Sequence, residues 1–179
     1  MWAFLCQTSV RKVNNTNNYD LQGHPRRWLI LAILTLSLVM VVASVSSLNL
    51  AIPSIQKALD ASASELVWIN AAYALVFAAL LLPGGAIGDR FGRRGALQIG
   101  LIIFIIGALL GATSSDPFQL IFFRASMGVG AALVMPATLS IISVIFPVEE
   151  RSKAIAIWSG FAGAGAAIGI IAAGLLLEK

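Results

Sequence analysis

Gly85-Ala-Ile-Gly-Asp-Arg-Phe-Gly-Arg-Arg94 decides the fold of this chain. The stretch is short, glycine-rich and cationic, and it lies between two long apolar runs. It holds one carboxylate, Asp89, among three guanidinium groups, Arg90, Arg93 and Arg94. Such a segment reverses the chain at a membrane surface. Its charge also names the surface, because Lys and Arg flanking membrane spans collect on the cytosolic side.

The composition outside this stretch agrees. The 179 residues are 59% hydrophobic and 11% charged, with a mean hydropathy of +0.91. Soluble domains average roughly 45–50% apolar and about 25% charged residues. No soluble domain of this length hides so much apolar surface, so the lipid bilayer is the expected partner and solvent. The net charge of +4 does not point to nucleic acid, because the basic residues flank apolar runs instead of forming a solvated stripe. The single cysteine, Cys6, permits no internal disulfide. No cofactor and no metal site is expected.

Residues 1–25 read as a disordered cytosolic tail. Trp2 to Leu5 is too short for a signal-peptide core, and Asn14-Asn15-Thr16-Asn17-Asn18 is polar and of low complexity. Asn14-Asn15-Thr16 matches a glycosylation sequon but falls on the cytosolic side of the expected topology.

A helix needs about 20 apolar residues to cross the hydrocarbon. Five stretches meet that length, at about 28–52, 65–85, 95–113, 117–146 and 152–177. The expected fold class is therefore an all-α membrane protein. Pro53 is expected to stop the first helix and Pro136 to kink the fourth. Ser62-Ala-Ser-Glu65 has capping-box spacing. Asp116-Pro117 sets a cap residue before a proline at the first helical position. Glu149 and Glu150 suit the positive end of the fifth helix.

Arg11, Lys12, Arg26 and Arg27 precede the first span, Arg90, Arg93 and Arg94 follow the second, and Arg151 and Lys153 follow the fourth. Opposite them lie Lys57 and Lys179. This bias puts the N-terminus in the cytosol and the C-terminus outside. No Asp or Glu falls inside a span. Arg124 does, about 10 Å along the fourth helix. It either faces a cavity or partner or snorkels to the outer surface.

Gly85-x-x-x-Asp89-Arg90-x-Gly92-Arg93-Arg94 resembles the signature loop of the major facilitator superfamily, between its second and third helices. The resemblance implies a cytosolic latch between two halves of a transporter; the bare alternative is a stop-transfer turn. Leu120-x-x-x-Arg124-x-x-x-Gly128-x-Gly130 resembles the family's fourth-helix motif, which implies a proton-coupling role for Arg124. Asn49-Leu-Ala-Ile-Pro-Ser-Ile-Gln56 resembles the end of the first helix in the fourteen-helix drug/proton antiporter branch. Ser44 stands where that branch carries Asp. Ser44 and Asn49 are candidate cavity residues, and the first-helix serines equally suit helix packing. Gly165-Ala-Ala-Ile-Gly169-Ile-Ile-Ala-Ala-Gly174 resembles the antiporter motif, with Ile170 for Pro and Ala173 for Gly. Its glycines serve either coupling or a smooth packing face.

The resemblance runs from about Arg26 to the C-terminus, five helices where the family builds six per half. It implies the leading fragment of a secondary transporter in the cell membrane. Such a transporter would export hydrophobic or drug-like small molecules, with protons as the candidate coupling ion. This stretch alone is not expected to transport. The competing reading is a truncated, non-transporting membrane protein or a packing subunit. An intramembrane enzyme is not expected: the sole histidine, His24, lies outside the spans, and no buried acid pair exists to do the chemistry.

Overall fold

A computed structural model describes residues 24–177, with side chains to residue 175. Nearly all of the expected tail, with Arg11, Lys12, Cys6 and the Asn14 sequon, lies outside the described residues, as does Lys179. The described chain is five helices: α1 (Arg27–Leu59), α2 (Ala63–Phe91), α3 (Arg93–Ala112), α4 (Pro117–Ile145) and α5 (Val148–Leu177). All five are long and apolar enough to cross a membrane. At 1.5 Å per residue the 33 residues of α1 run about 50 Å. That exceeds a hydrocarbon core of about 30 Å, so α1 tilts or projects beyond it.

Several expected boundaries move. Pro53 does not end α1, which continues to Leu59 and closes on Asp60 in a left-handed conformation (φ 48°). A proline inside a helix costs one backbone hydrogen bond, and membrane helices re-satisfy the freed group locally. Pro83 and Pro136 likewise lie within continuous helices. The second helix does not stop at Gly85 but runs to Phe91, and the third starts at Arg93 instead of Gly95. Charge marks where hydrocarbon ends, whereas a helix ends only where backbone bonding ends. The fifth helix likewise begins earlier, at Val148.

The capping box at α2 is formed. Ser62 N–H donates to Glu65 Oε2 at 2.8 Å, and Glu65 N–H donates back to Ser62 Oγ at 3.4 Å. At α4, Pro117 takes the first helical turn, but the Asp116 side chain makes no cap bond.

The helices pack as two groups. In one, α4 lies against α2 and α3; in the other, α1 pairs with α5. The groups touch sparingly, chiefly where α1 meets α4. Leu34, Val134, Ala131 and Ile142 are among the residues fully enclosed between helices. Large apolar side chains such as Leu82, Phe118 and Phe122 point outward. Outward apolar faces are what a bilayer-embedded bundle requires.

The basic helix ends gather at one end of the bundle. Arg27 of α1 forks onto Glu150 of α5, Nε to Oε2 at 2.7 Å and Nη2 to Oε1 at 3.1 Å. Beside it Trp28 meets Phe146 edge-on at 5.2 Å, and the Lys153 ammonium lies 5.6 Å from the Trp28 ring centre. The His24 N–H donates to the Ile145 carbonyl at 3.0 Å.

Candidate functional site

The arginine-bearing reversal is far tighter than a loop. α2 carries Gly85, Asp89 and Arg90 on helix, and α3 carries Arg93 and Arg94. Gly92 alone is non-helical, at φ 105° and ψ 123°. Only glycine adopts that conformation without strain. Of the three guanidinium groups around Asp89, the one that pairs with it is Arg93, whose Nε donates to Asp89 Oδ1 at 3.1 Å. Arg93 Nη1 also donates to the Ser140 carbonyl of α4 at 3.1 Å. One guanidinium therefore clips the α2 end, the α3 start and α4 together. Arg90 lies over Phe91 at 5.5 Å instead, and Arg94 is exposed. A cavity of about 320 Å³ opens beside the clip, lined by Gly85, Gly88, Asp89, Arg93, Pro136 and Ser140 among others.

Close helix approach near this end depends on Gly84 more than on Gly85 or Gly88. A Cβ on Gly84 would lie 2.5 Å from the Ala132 carbonyl oxygen, whereas Gly85 and Gly88 make only ordinary contacts at 3.6 and 3.5 Å.

Arg124 is only 4% exposed, so it does not snorkel to a surface. Its guanidinium lies 4.9 Å from the ring centre of Tyr73 in α2. Nε and Nη2 have no hydrogen-bond partner, and neither described salt bridge involves Arg124. One turn on, Gly128 admits the Tyr73 carbonyl, which would stand 2.7 Å from an added Cβ. Gly130 faces α3 instead, with the Gly100 carbonyl at 2.6 Å from its would-be Cβ. The α4 motif thus has one residue set toward α2 and one toward α3.

The fifth-helix glycines face α1. Gly165 meets Val39, and Gly169 meets the Ala43 backbone so closely that no Cβ fits. Gly174 makes only ordinary contact with Leu50 at 3.8 Å, and Gly160 and Gly163 face open space. This is packing geometry, with Gly169 at its tightest point. The α1 serines are engaged locally: Ser44 Oγ donates to the Val41 carbonyl at 2.8 Å, and Ser47 Oγ to the Ser44 carbonyl at 3.2 Å. Asn49 Oδ1 accepts from Asn70 Nδ2 of α2 at 3.1 Å, bridging the sparse α1–α2 boundary.

The sequence reading missed Tyr73, Asn70, Ser140 and the Arg27–Glu150 pair. Only the Asp89–Arg93 link had a local signal, an acid four residues before a base, although the two stand on successive helices across Gly92. The other partners are distant in sequence. Among the described residues no cluster of His, Cys, Asp or Glu is suited to a metal ion.

These features define a multi-pass helical membrane protein with an arginine-clipped reversal and a buried intramembrane arginine. Residues 34–179 match the Major Facilitator Superfamily, and the chain belongs to that family. It is 40% identical to the puromycin resistance protein pur8 of Streptomyces alboniger over 86% of this chain and 31% of that protein. It is 41% identical to the multidrug efflux pump LfrA of Mycolicibacterium smegmatis, again over 86% of this chain and 31% of the other. The methyl viologen resistance protein SmvA of Salmonella typhimurium is 38% identical with the same coverage. The chain thus spans about a third of the length of these relatives. A crystal structure of a bacterial homologue of the human lysosomal transporter Spinster, inward-facing and unoccupied, superposes with a TM-score of 0.73 at 24% identity. It covers 82% of this chain and 31% of that one, and the likeness is one of fold. Membership in a family of transporters sets the enzyme reading aside.

Proposed function

We propose that this chain is the leading part of a secondary active exporter of hydrophobic, drug-like small molecules. It lies in the cell membrane with its arginine-bearing end in the cytosol. The observation that carries the reading is that relatives at 38–41% identity over 86% of the chain are named for drug resistance or multidrug efflux. The predominantly apolar helix faces suit such solutes, whose sites need few polar contacts. In this reading the Asp89–Arg93 clip, with its neighbouring cavity, is one side of a latch that closes against a second half. Arg124 is the charged element inside the span, with protons as the coupling ion. An ionised side chain there is costly unless it serves a pathway or a partner.

The test is expression of the complete reading frame containing this chain in a pump-deficient bacterium. Tolerance of puromycin and methyl viologen, and energy-dependent efflux of a fluorescent cationic dye, should rise. Efflux equal to the empty vector, with the protein present in the membrane, contradicts the proposal.

A further inference from the structure

We infer that Tyr73 is the positioning residue for Arg124, its aromatic ring filling the place a carboxylate would take. The inference rests on the proposed role of Arg124 and names the group that holds it in place. Arg124 is 4% exposed, and two of its guanidinium nitrogens have no hydrogen-bond partner. A buried charge of this kind needs compensation. Among the described residues no acid forms an ion pair with it. Across α1–α4 the acidic residues are Glu65 and Asp89, in the first and last turns of α2, and α5 has only Glu149 and Glu150 in its first turn. α1 and α3 contain no acid at all. Ser44 of α1 turns its hydroxyl proton onto its own helix.

The Tyr73 ring is the group in place. It faces the guanidinium at 4.9 Å, within the range where a ring quadrupole attracts a cation. Two contacts fix the ring's position. Its backbone is seated against Gly128, at a spot where a Cβ would stand 2.7 Å from the Tyr73 carbonyl. Its ring stacks almost parallel on Phe77, with centroids 6.1 Å apart and 4° between planes. Gly128 thus lets α2 approach, Phe77 orients the ring, and the ring aims Arg124 along the α2–α4 seam. The contact runs through the ring face and not through the hydroxyl. A phenylalanine should therefore serve, and an aliphatic residue should not.

Two measurements test this. In the chain labelled with 15N-arginine in detergent micelles, the Arg124 Nε–Hε signal, assigned by its loss in Arg124→Lys, should lie upfield of the other arginines. It should stay there in Tyr73→Phe and join them in Tyr73→Leu. A signal already among the others in the unaltered chain, or unmoved in Tyr73→Leu, overturns the inference. In the complete reading frame, Tyr73→Phe should retain efflux and Tyr73→Leu should lower it by about 2- to 30-fold, the range of a cation–π contact. Tyr73→Leu combined with Arg124→Gln should then fall no further than Arg124→Gln alone. Two losses that multiply, or a Tyr73→Phe as damaged as Tyr73→Leu, also overturn it. If the unaltered protein exports nothing, the exporter reading fails, and the NMR result alone decides the Tyr73–Arg124 placement.

Discussion

Replacing Gly92 by alanine isolates the single residue that joins α2 to α3. At φ 105° and ψ 123°, an L side chain is strained whatever its surroundings. A Cβ there meets no atom within 4 Å, so no packing clash contributes and the whole cost is backbone strain. That cost is about 1–3 kcal/mol. Gly95, three residues on, is the matched control. A Cβ there also meets nothing within 4 Å, but Gly95 is helical. Alanine should help there, by up to about 1 kcal/mol of helix propensity. Lowering the freedom of the unfolded chain favours both variants by a similar amount and cancels between them. Gly92→Ala should therefore be less stable than Gly95→Ala by about 1–3 kcal/mol, the backbone strain alone, since the entropic gain is common to both. The assay is equilibrium unfolding in mixed micelles with rising SDS, followed by far-ultraviolet circular dichroism. Equal midpoints for the two variants would refute the one-residue reversal.

Other consequences follow from the seams and ion pairs. Gly169→Val forces a side chain into the Ala43 backbone and should cost about 1–3 kcal/mol or more. Gly163→Ala, facing open space, should be neutral or slightly stabilising in the same unfolding assay. A double-mutant cycle of Arg27→Gln and Glu150→Gln should give a small favourable coupling that shrinks with added salt, because both side chains are partly exposed. Asp89→Asn should cost less than about 1 kcal/mol of stability, since the Asp89–Arg93 pair is exposed. In the complete reading frame it should nonetheless lower efflux; wild-type efflux would remove the clip from the transport cycle.

The sequence carried the number of helices, the end at which charge gathers and the place of Arg124 within the fourth helix. Those properties depend on composition along one strand of chain, and the bilayer makes composition decisive. It did not carry the helix ends within the motif. The residues Gly85 to Phe91 look like a loop because glycine and arginine are common in loops, yet backbone bonding continues until Gly92. The partners were harder still. Tyr73 and Arg124 are brought together only by the α2–α4 crossing, and nothing in the Tyr73 neighbourhood marks it as a cation's partner. Gly84 and Gly85 are adjacent and chemically identical, so only the helix rotation reveals which one touches α4. Arg27 and Glu150 each had an adequate local explanation, as a topology signal and as a helix-start acid, that concealed their pairing.

Side-specific labelling of the two helix ends would decide the orientation on which the exporter reading depends. In a Cys6→Ser background, Lys57→Cys and Arg94→Cys would be probed in intact cells with a membrane-impermeant maleimide. Labelling at position 57 without permeabilisation, and at position 94 only after it, is the expected result. The reverse pattern would place the arginine clip outside the cell and contradict the proposed cytosolic latch.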